Sequence, residues 1–143
     1  MRFENVRLAR MFSTMALLGK WFMKILLVDD SPAIRTVVKQ CLRALDVDAI
    51  VEAADCDTAL CCFESQTFNL VMSGWNMPTL DGLSLLRKIR REDAAIPVLL
   101  IVPEAQCTHM VDAIRAGCSD YLVKPFASEA LNEKLEKWVG ASV

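Results

Sequence analysis

The sequence has a single histidine, His109, and none of its six cysteines (Cys41, Cys56, Cys61, Cys62, Cys107 and Cys118) stands in a Cys-x-x-Cys pair. Zinc is held by closely spaced thiolates and imidazoles, so no zinc centre is expected. The cysteines read instead as small apolar residues of a reduced, cytoplasmic interior. A basic run is missing too: 16 Lys and Arg stand against 18 Asp and Glu, for a formal charge of −2. Nucleic acid needs a clustered cationic footprint, so it is not expected as a partner. No apolar stretch reaches the roughly 20 residues of a membrane span. The best candidate, Met11 to Phe22, is interrupted by Ser13, Thr14, Gly19 and Lys20. Arg2, Arg7 and Arg10 before it imitate the charge order of a signal peptide, but no small-residue cleavage site comes after it. Linkers, repeats and low-complexity tracts are likewise missing.

What the chain does have is apolar content, 54% hydrophobic against 24% charged, the balance of a packed domain. Its 143 residues suffice for one such domain and not for two. Residues 1–22 differ in pattern from the rest of the chain, and Met23 opens the run Met-Lys-Ile-Leu-Leu-Val-Asp-Asp, which reads as a natural beginning. Residues 1–22 are expected to be an extension, flexible or a short amphipathic helix docked on the domain, with the domain itself at 23–140.

From Met23 on, short apolar runs alternate with longer amphipathic ones, the signature of βαβ units on a parallel sheet. Ile25–Val28, Ala49–Ala53, Asn69–Ser73, Val98–Val102 and Tyr121–Val123 are expected as strands buried on both faces. Ser31-Pro32 places an N-cap before a proline at the first helical position, starting a helix over Pro32–Leu45. Its Ile34, Val37, Val38, Cys41, Leu42 and Leu45 recur at helical spacing and form one apolar stripe. Further helices are predicted over 57–65, after Asp81-Gly82, over 105–116 ending at Gly117, and from Ser128 to Gly140. In the third, Leu83, Leu85, Leu86 and Ile89 should face inward, and Arg87, Lys88, Arg90 and Arg91 outward as a solvated face.

In an open parallel sheet the ligand site lies beyond the carboxyl ends of the strands. There the chain places Asp29-Asp30 after the first strand, Gly74 after Ser73 on the third, Val102-Pro103 on the fourth and Lys124-Pro125 on the fifth. Two adjacent carboxylates repel each other and call for a cation. Lys124 is one; Mg²⁺, which favours a few hard oxygen donors and keeps its waters, is another. A plainer role, helix capping around Ser31, also suits either aspartate.

Three blocks in order, Leu-Val-Asp29-Asp30-Ser31, Trp75-Asn76-Met77-Pro78-x-x-Asp81-Gly82 and Val123-Lys124-Pro125-Phe126, closely resemble the receiver domains of response regulators, the chemotaxis CheY-like ones above all. The resemblance spans about residues 23–138. It implies a flavodoxin-like (βα)5 doubly wound parallel sheet of strand order 2-1-3-4-5. It also implies that Asp30, assisted by Asp29, holds Mg²⁺ together with the main-chain carbonyl of Asn76, and that Lys124 contacts a phosphoryl group. By the same resemblance Lys124-Pro125 is a cis peptide, Pro78 and Gly82 shape the loop after the third strand, and Tyr121 is the aromatic switch position. Two positions depart from the family. Where the phosphoacceptor aspartate is expected stands Gly74, which has no nucleophilic carboxylate. Where a Thr or Ser is expected stands Val102, which cannot donate a hydrogen bond.

Both departures fall on phosphorylation. The chain is therefore expected to be an atypical receiver in two-component phosphorelay signalling, a pseudo-receiver that is not an enzyme, binds Mg²⁺ weakly and pairs Lys124 directly with Asp29 or Asp30. It is expected to be monomeric and cytoplasmic and to bind protein partners, a sensor kinase or a downstream target. The surface for them would be the fourth helix, fifth strand and fifth helix, with Tyr121 as anchor and Gln106, His109, Asp112, Glu129, Asn132, Glu133 and Glu136 as polar rim. The alternative is a phosphotransfer-competent receiver with another acceptor such as Asp30 or Ser73. Flavin is not expected, because Asp29-Asp30 would repel its phosphate.

Overall fold

The structure, a computed structural model, describes residues 23–140, so the expectations for residues 1–22 lie outside the described residues. Strands β1 (Lys24–Val28), β2 (Ala49–Ala53), β3 (Leu70–Gly74), β4 (Val98–Pro103) and β5 (Asp120–Lys124) form one parallel sheet in the order β2-β1-β3-β4-β5. They alternate with α1 (Pro32–Ala44), α2 (Cys56–Ser65), α3 (Gly82–Glu92), α4 (Met110–Arg115) and α5 (Ser128–Gly140). This is the flavodoxin-like (βα)5 fold.

Alternation along each strand divides the core in two. On one face, Val38 and Leu42 of α1 and Leu131, Leu135 and Val139 of α5 cover Ile25, Leu27, Met72, Leu99, Ile101 and Leu122. On the other, Ala59 of α2, Leu85, Leu86 and Ile89 of α3 and Ala113 of α4 cover Leu26, Val28, Val71, Leu100 and Val102. The central strands are buried on both faces, as predicted. The edge strands β2 and β5 are not: Ala49, Glu52 and Tyr121 are exposed. They carry Glu52, Asp120 and Lys124 among their apolar residues, and an edge strand has a neighbouring strand on one side only.

Ser31 caps α1 by accepting the Ile34 N–H at 3.3 Å, ahead of Pro32. Two further expectations need correction. The predicted fourth helix is split: Glu104–His109 is a 3-10 segment, and α-helix begins only at Met110. Pro103 before it has no side-chain group to cap the turn, and none of the six residues is buried, so nothing seats a regular turn on the sheet. Gly117 ends α4 at φ +103°, the left-handed conformation foreseen there. The last helix opens at Ser128 and ends at Gly140 as expected, with the Ala127 carbonyl accepting the Leu131 N–H at 3.2 Å.

Arg90 is the second correction. Its guanidinium does not face solvent but donates to the carbonyls of Gly117 (3.0 and 2.8 Å), Ile96 (2.6 Å) and Asp93 (3.1 Å) and to Ser119 Oγ (3.3 Å). These acceptors lie beyond the C-terminal ends of α3 and α4, where carbonyls run out of helical partners, and five N–H groups on a long stem serve several at once.

Candidate functional site

Asp29, Gly74 and Lys124 each stand two residues after Leu27, Met72 and Leu122, which belong to the core on the α1 and α5 face. Period-two alternation therefore brings all three to the same side of the sheet at its carboxyl edge. Asp29 is 1% exposed. Its backbone N–H donates to the Ala53 carbonyl at 3.1 Å, and its carbonyl accepts Arg35 Nη1 at 2.6 Å, which fixes the residue from both sides. Its Oδ1 accepts the Ser31 N–H at 2.9 Å. Among the described residues its Oδ2 has no hydrogen-bond partner. The nearest cation is Lys124 Nζ at 3.7 Å, an ion pair too long for a hydrogen bond. Burial pushes the Asp29 carboxyl above its usual range; the Ser31 N–H and Lys124 oppose the rise and Asp30 adds to it.

That unpaired oxygen points at residue 74. A β-carbon added to Gly74 would lie 2.7 Å from Asp29 Oδ2 and 3.0 Å from its Cγ. The Asp29 carboxyl thus stands over the Gly74 α-carbon, in the space a side chain there would claim. Asp30 and Asn76 are exposed. Ser73 is buried on the opposite side of the sheet, and its hydroxyl donates to the Gly74 carbonyl at 2.9 Å. Val102 is fully buried beside its register partner Val123 and brings no polar atom to the site. Tyr121 is 39% exposed. Lys124-Pro125 is cis.

Three backbone features shape the loop after β3. The Gly82 N–H donates to the Trp75 carbonyl at 2.7 Å, and a β-carbon on Gly82 would collide with the Gly74 carbonyl oxygen, so only glycine permits this approach. Asp81 caps α3 through the Ser84 N–H at 2.8 Å. Buried Trp75 stacks on exposed His109, with ring centroids 6.5 Å apart. Sequence reasoning did not find Arg35, four residues after the α1 cap, nor Cys56, whose thiol donates to the Leu80 carbonyl at 3.0 Å. Burial above all, with nearby aspartates, pushes the Cys56 thiol up to about 11, which makes it a packing group and not a nucleophile.

Mg²⁺ is tested by the donors available. Among the described residues no three His, Cys, Asp or Glu side chains gather around one point. Asp29 Oδ2 is a free donor and Asp30 a second carboxylate, but Lys124 already faces Asp29 and residue 74 contributes no oxygen. This set does not fit a tight Mg²⁺ site.

The arrangement matches known proteins along most of the chain. Residues 25–136 match the family model described as "Response regulator receiver domain". The chain is 40% identical over 117 residues to the chemotaxis protein CheY of Pseudomonas aeruginosa, covering 80% of this chain and 94% of that one. It is 42% identical over 117 residues to chemotaxis protein CheY-3 of Vibrio cholerae, covering 80% and 90%. Among solved structures, the chemotaxis response regulator CheY4 of Vibrio cholerae superposes with a TM-score of 0.74 at 29% identity, covering 81% of this chain and 98% of that one. The receiver domain of NtrX from Brucella abortus superposes at 0.75 with 31% identity, covering 82% and 98%. With the sheet order and these likenesses in agreement, the chain belongs to the response regulator receiver domain family, in its CheY-like branch.

Proposed function

We propose that this receiver serves two-component signalling by binding protein partners, without accepting phosphate at residue 74. The observation that supports this is the Asp29 carboxyl standing over the Gly74 α-carbon. An acyl phosphate at the end of β3 needs a carboxylate on that residue, and glycine supplies none. Asp29 does not replace it: one oxygen is tied to the Ser31 N–H and the other faces Lys124. Buried Ser73 points away. Val102 cannot hydrogen-bond a phosphoryl oxygen, so chemistry and readout fail together. Lys124 balances Asp29, and Mg²⁺, held only by Asp29, Asp30 and the Asn76 carbonyl, binds weakly. The receiver acts as a cytoplasmic monomer, and the surface offered to a kinase or downstream target is that of α4, β5 and α5. The described residues contain no helix long and apolar enough to cross a membrane.

Acetyl phosphate with Mg²⁺, followed by intact-mass measurement, tests the proposal. The unaltered chain should show no gain of the ~80 daltons of one phosphoryl group, whereas Gly74→Asp should gain it at least in part. A stoichiometric gain on the unaltered chain overturns the reading.

A further inference from the structure

Asp120 opens β5 at the free edge of the sheet, and its side chain is only 8% exposed. Its Oδ1 accepts Lys134 Nζ at 2.7 Å and the Tyr121 N–H at 2.8 Å. Its Oδ2 accepts Trp138 Nε1 at 2.8 Å and, at the limit of 3.5 Å, Lys137 Nζ. The same Lys134 ammonium lies 5.7 Å from the centroid of the Tyr121 ring, within cation–π range. One cation is therefore shared between a buried carboxylate and an aromatic face.

The placement is unusual in terms of the fold. By register Tyr121 stands opposite Leu100, which belongs to the core under α2, α3 and α4. Lys134 belongs to α5, on the other face of the sheet. The ammonium reaches the ring only round the edge of β5, and Asp120 is what holds it there. Left to itself, an aromatic ring beginning on the Leu100 side gains by folding over that core. It stays 39% exposed instead.

We propose that Lys134, anchored by Asp120, is the positioning residue that holds Tyr121 outward at the sheet edge. The orientation of the ring is then set from α5 and not from the pocket at Asp29. This is independent of whether residue 74 can be phosphorylated, since none of these groups touches that site.

Tyr121 is the chain's single tyrosine, so a ring label reports on it alone. In the full chain carrying ring-labelled tyrosine, relaxation by a soluble gadolinium chelate measures how far the ring reaches into solvent. Lys134→Met should lower the ratio of outward to inward ring by a factor of about two to five, the range a half-exposed cation–π contact supports. Asp120→Asn should act in the same direction, and Lys134→Arg should preserve the unaltered value. A merely structural role for Lys134 predicts a lower thermal midpoint with unchanged ring relaxation in Lys134→Met, and that result overturns the inference. Equal loss in the Arg and Met variants overturns it too. Lys134→Gln gives the same reading if the Met variant does not fold.

Discussion

Two aspartates, both nearly buried and each at one end of a strand, have opposite fates in this molecule. Asp120 receives hydrogen bonds on both oxygens, whereas Asp29 is bonded on one and leaves the other bare. Burial works to raise both carboxyls. At Asp120, Lys134, Trp138 and the Tyr121 N–H outweigh it and the carboxyl falls below its usual range; at Asp29, one backbone N–H and a distant ammonium do not, and the carboxyl rises. The difference teaches that burial alone does not decide whether a charge stabilises a fold: the number of donors does. Asp120 joins the edge strand to α5, and Asp29 is held where it is at some cost.

The sharpest way to break the comparison is to remove the satisfied partner. Asp120→Ala removes the buried carboxylate that accepts from Lys134 and Trp138 and should destabilise the domain by about 2–3 kcal/mol, somewhat below fully buried pairs because Lys134 is part exposed. A shift in the midpoint of urea unfolding measures it. Next, Gly74→Asp puts a second carboxyl against Asp29 Oδ2 and should cost about 1–2 kcal/mol without divalent cation. Millimolar Mg²⁺ should recover most of that loss, while leaving the unaltered chain's unfolding midpoint and Trp75 emission nearly unchanged.

Asp29→Asn makes the opposite prediction to Asp120→Ala: it removes an under-satisfied buried charge and should stabilise the domain by about 1 kcal/mol at pH 7. The signs in pH come from linkage. Asp29 is raised in the fold, so the native state binds its proton more tightly and stability falls as pH rises above the ordinary value of 3.8 through the raised one. Asp120 is lowered, so its contribution is complete above 3.8 and disappears as pH falls through the lowered value. In stability-versus-pH curves Asp29→Asn should flatten the decline above 3.8, and Asp120→Asn the acid limb below it. The smallest effect belongs to Lys124→Met. With a 3.7 Å, part-exposed pair at stake it should change stability by about 0.5 kcal/mol or less.

Most of the fold was legible in the sequence because its signals are local. The Ser31-Pro32 cap, the apolar stripes and the strand runs each declare themselves within a few residues, and three motif blocks in order pointed to the sheet order. The split of the fourth helix was not legible: Glu104–His109 contains no proline or glycine to break a helix, and that none of these residues is buried against the sheet appears only in the fold. Arg90 looked like its neighbours on a cationic face, since nothing within α3 reveals that the carbonyl of Gly117, far along the chain, is its acceptor. At the candidate site, the residue types Asp29, Gly74 and Lys124 could be read, but not that Asp29 leans over residue 74 and leaves Asp30 in solvent. Such geometry depends on contacts between separate strands. The same holds for Asp120, which the sequence did not single out and whose partners Lys134 and Trp138 are brought to it by α5.

Arg90 also holds the start of β5 in place. Its four acceptors at Asp93, Ile96, Gly117 and Ser119 rivet the start of the edge strand to the end of α3. At the far end of the strand, Lys124 pairs with Pro103 in the ladder and its ammonium lies 3.7 Å from Asp29 Oδ2. The start of the edge strand is thereby tied to a helix as well as to its one neighbouring strand, a second attachment that the pairing of β4 with β5 alone does not supply.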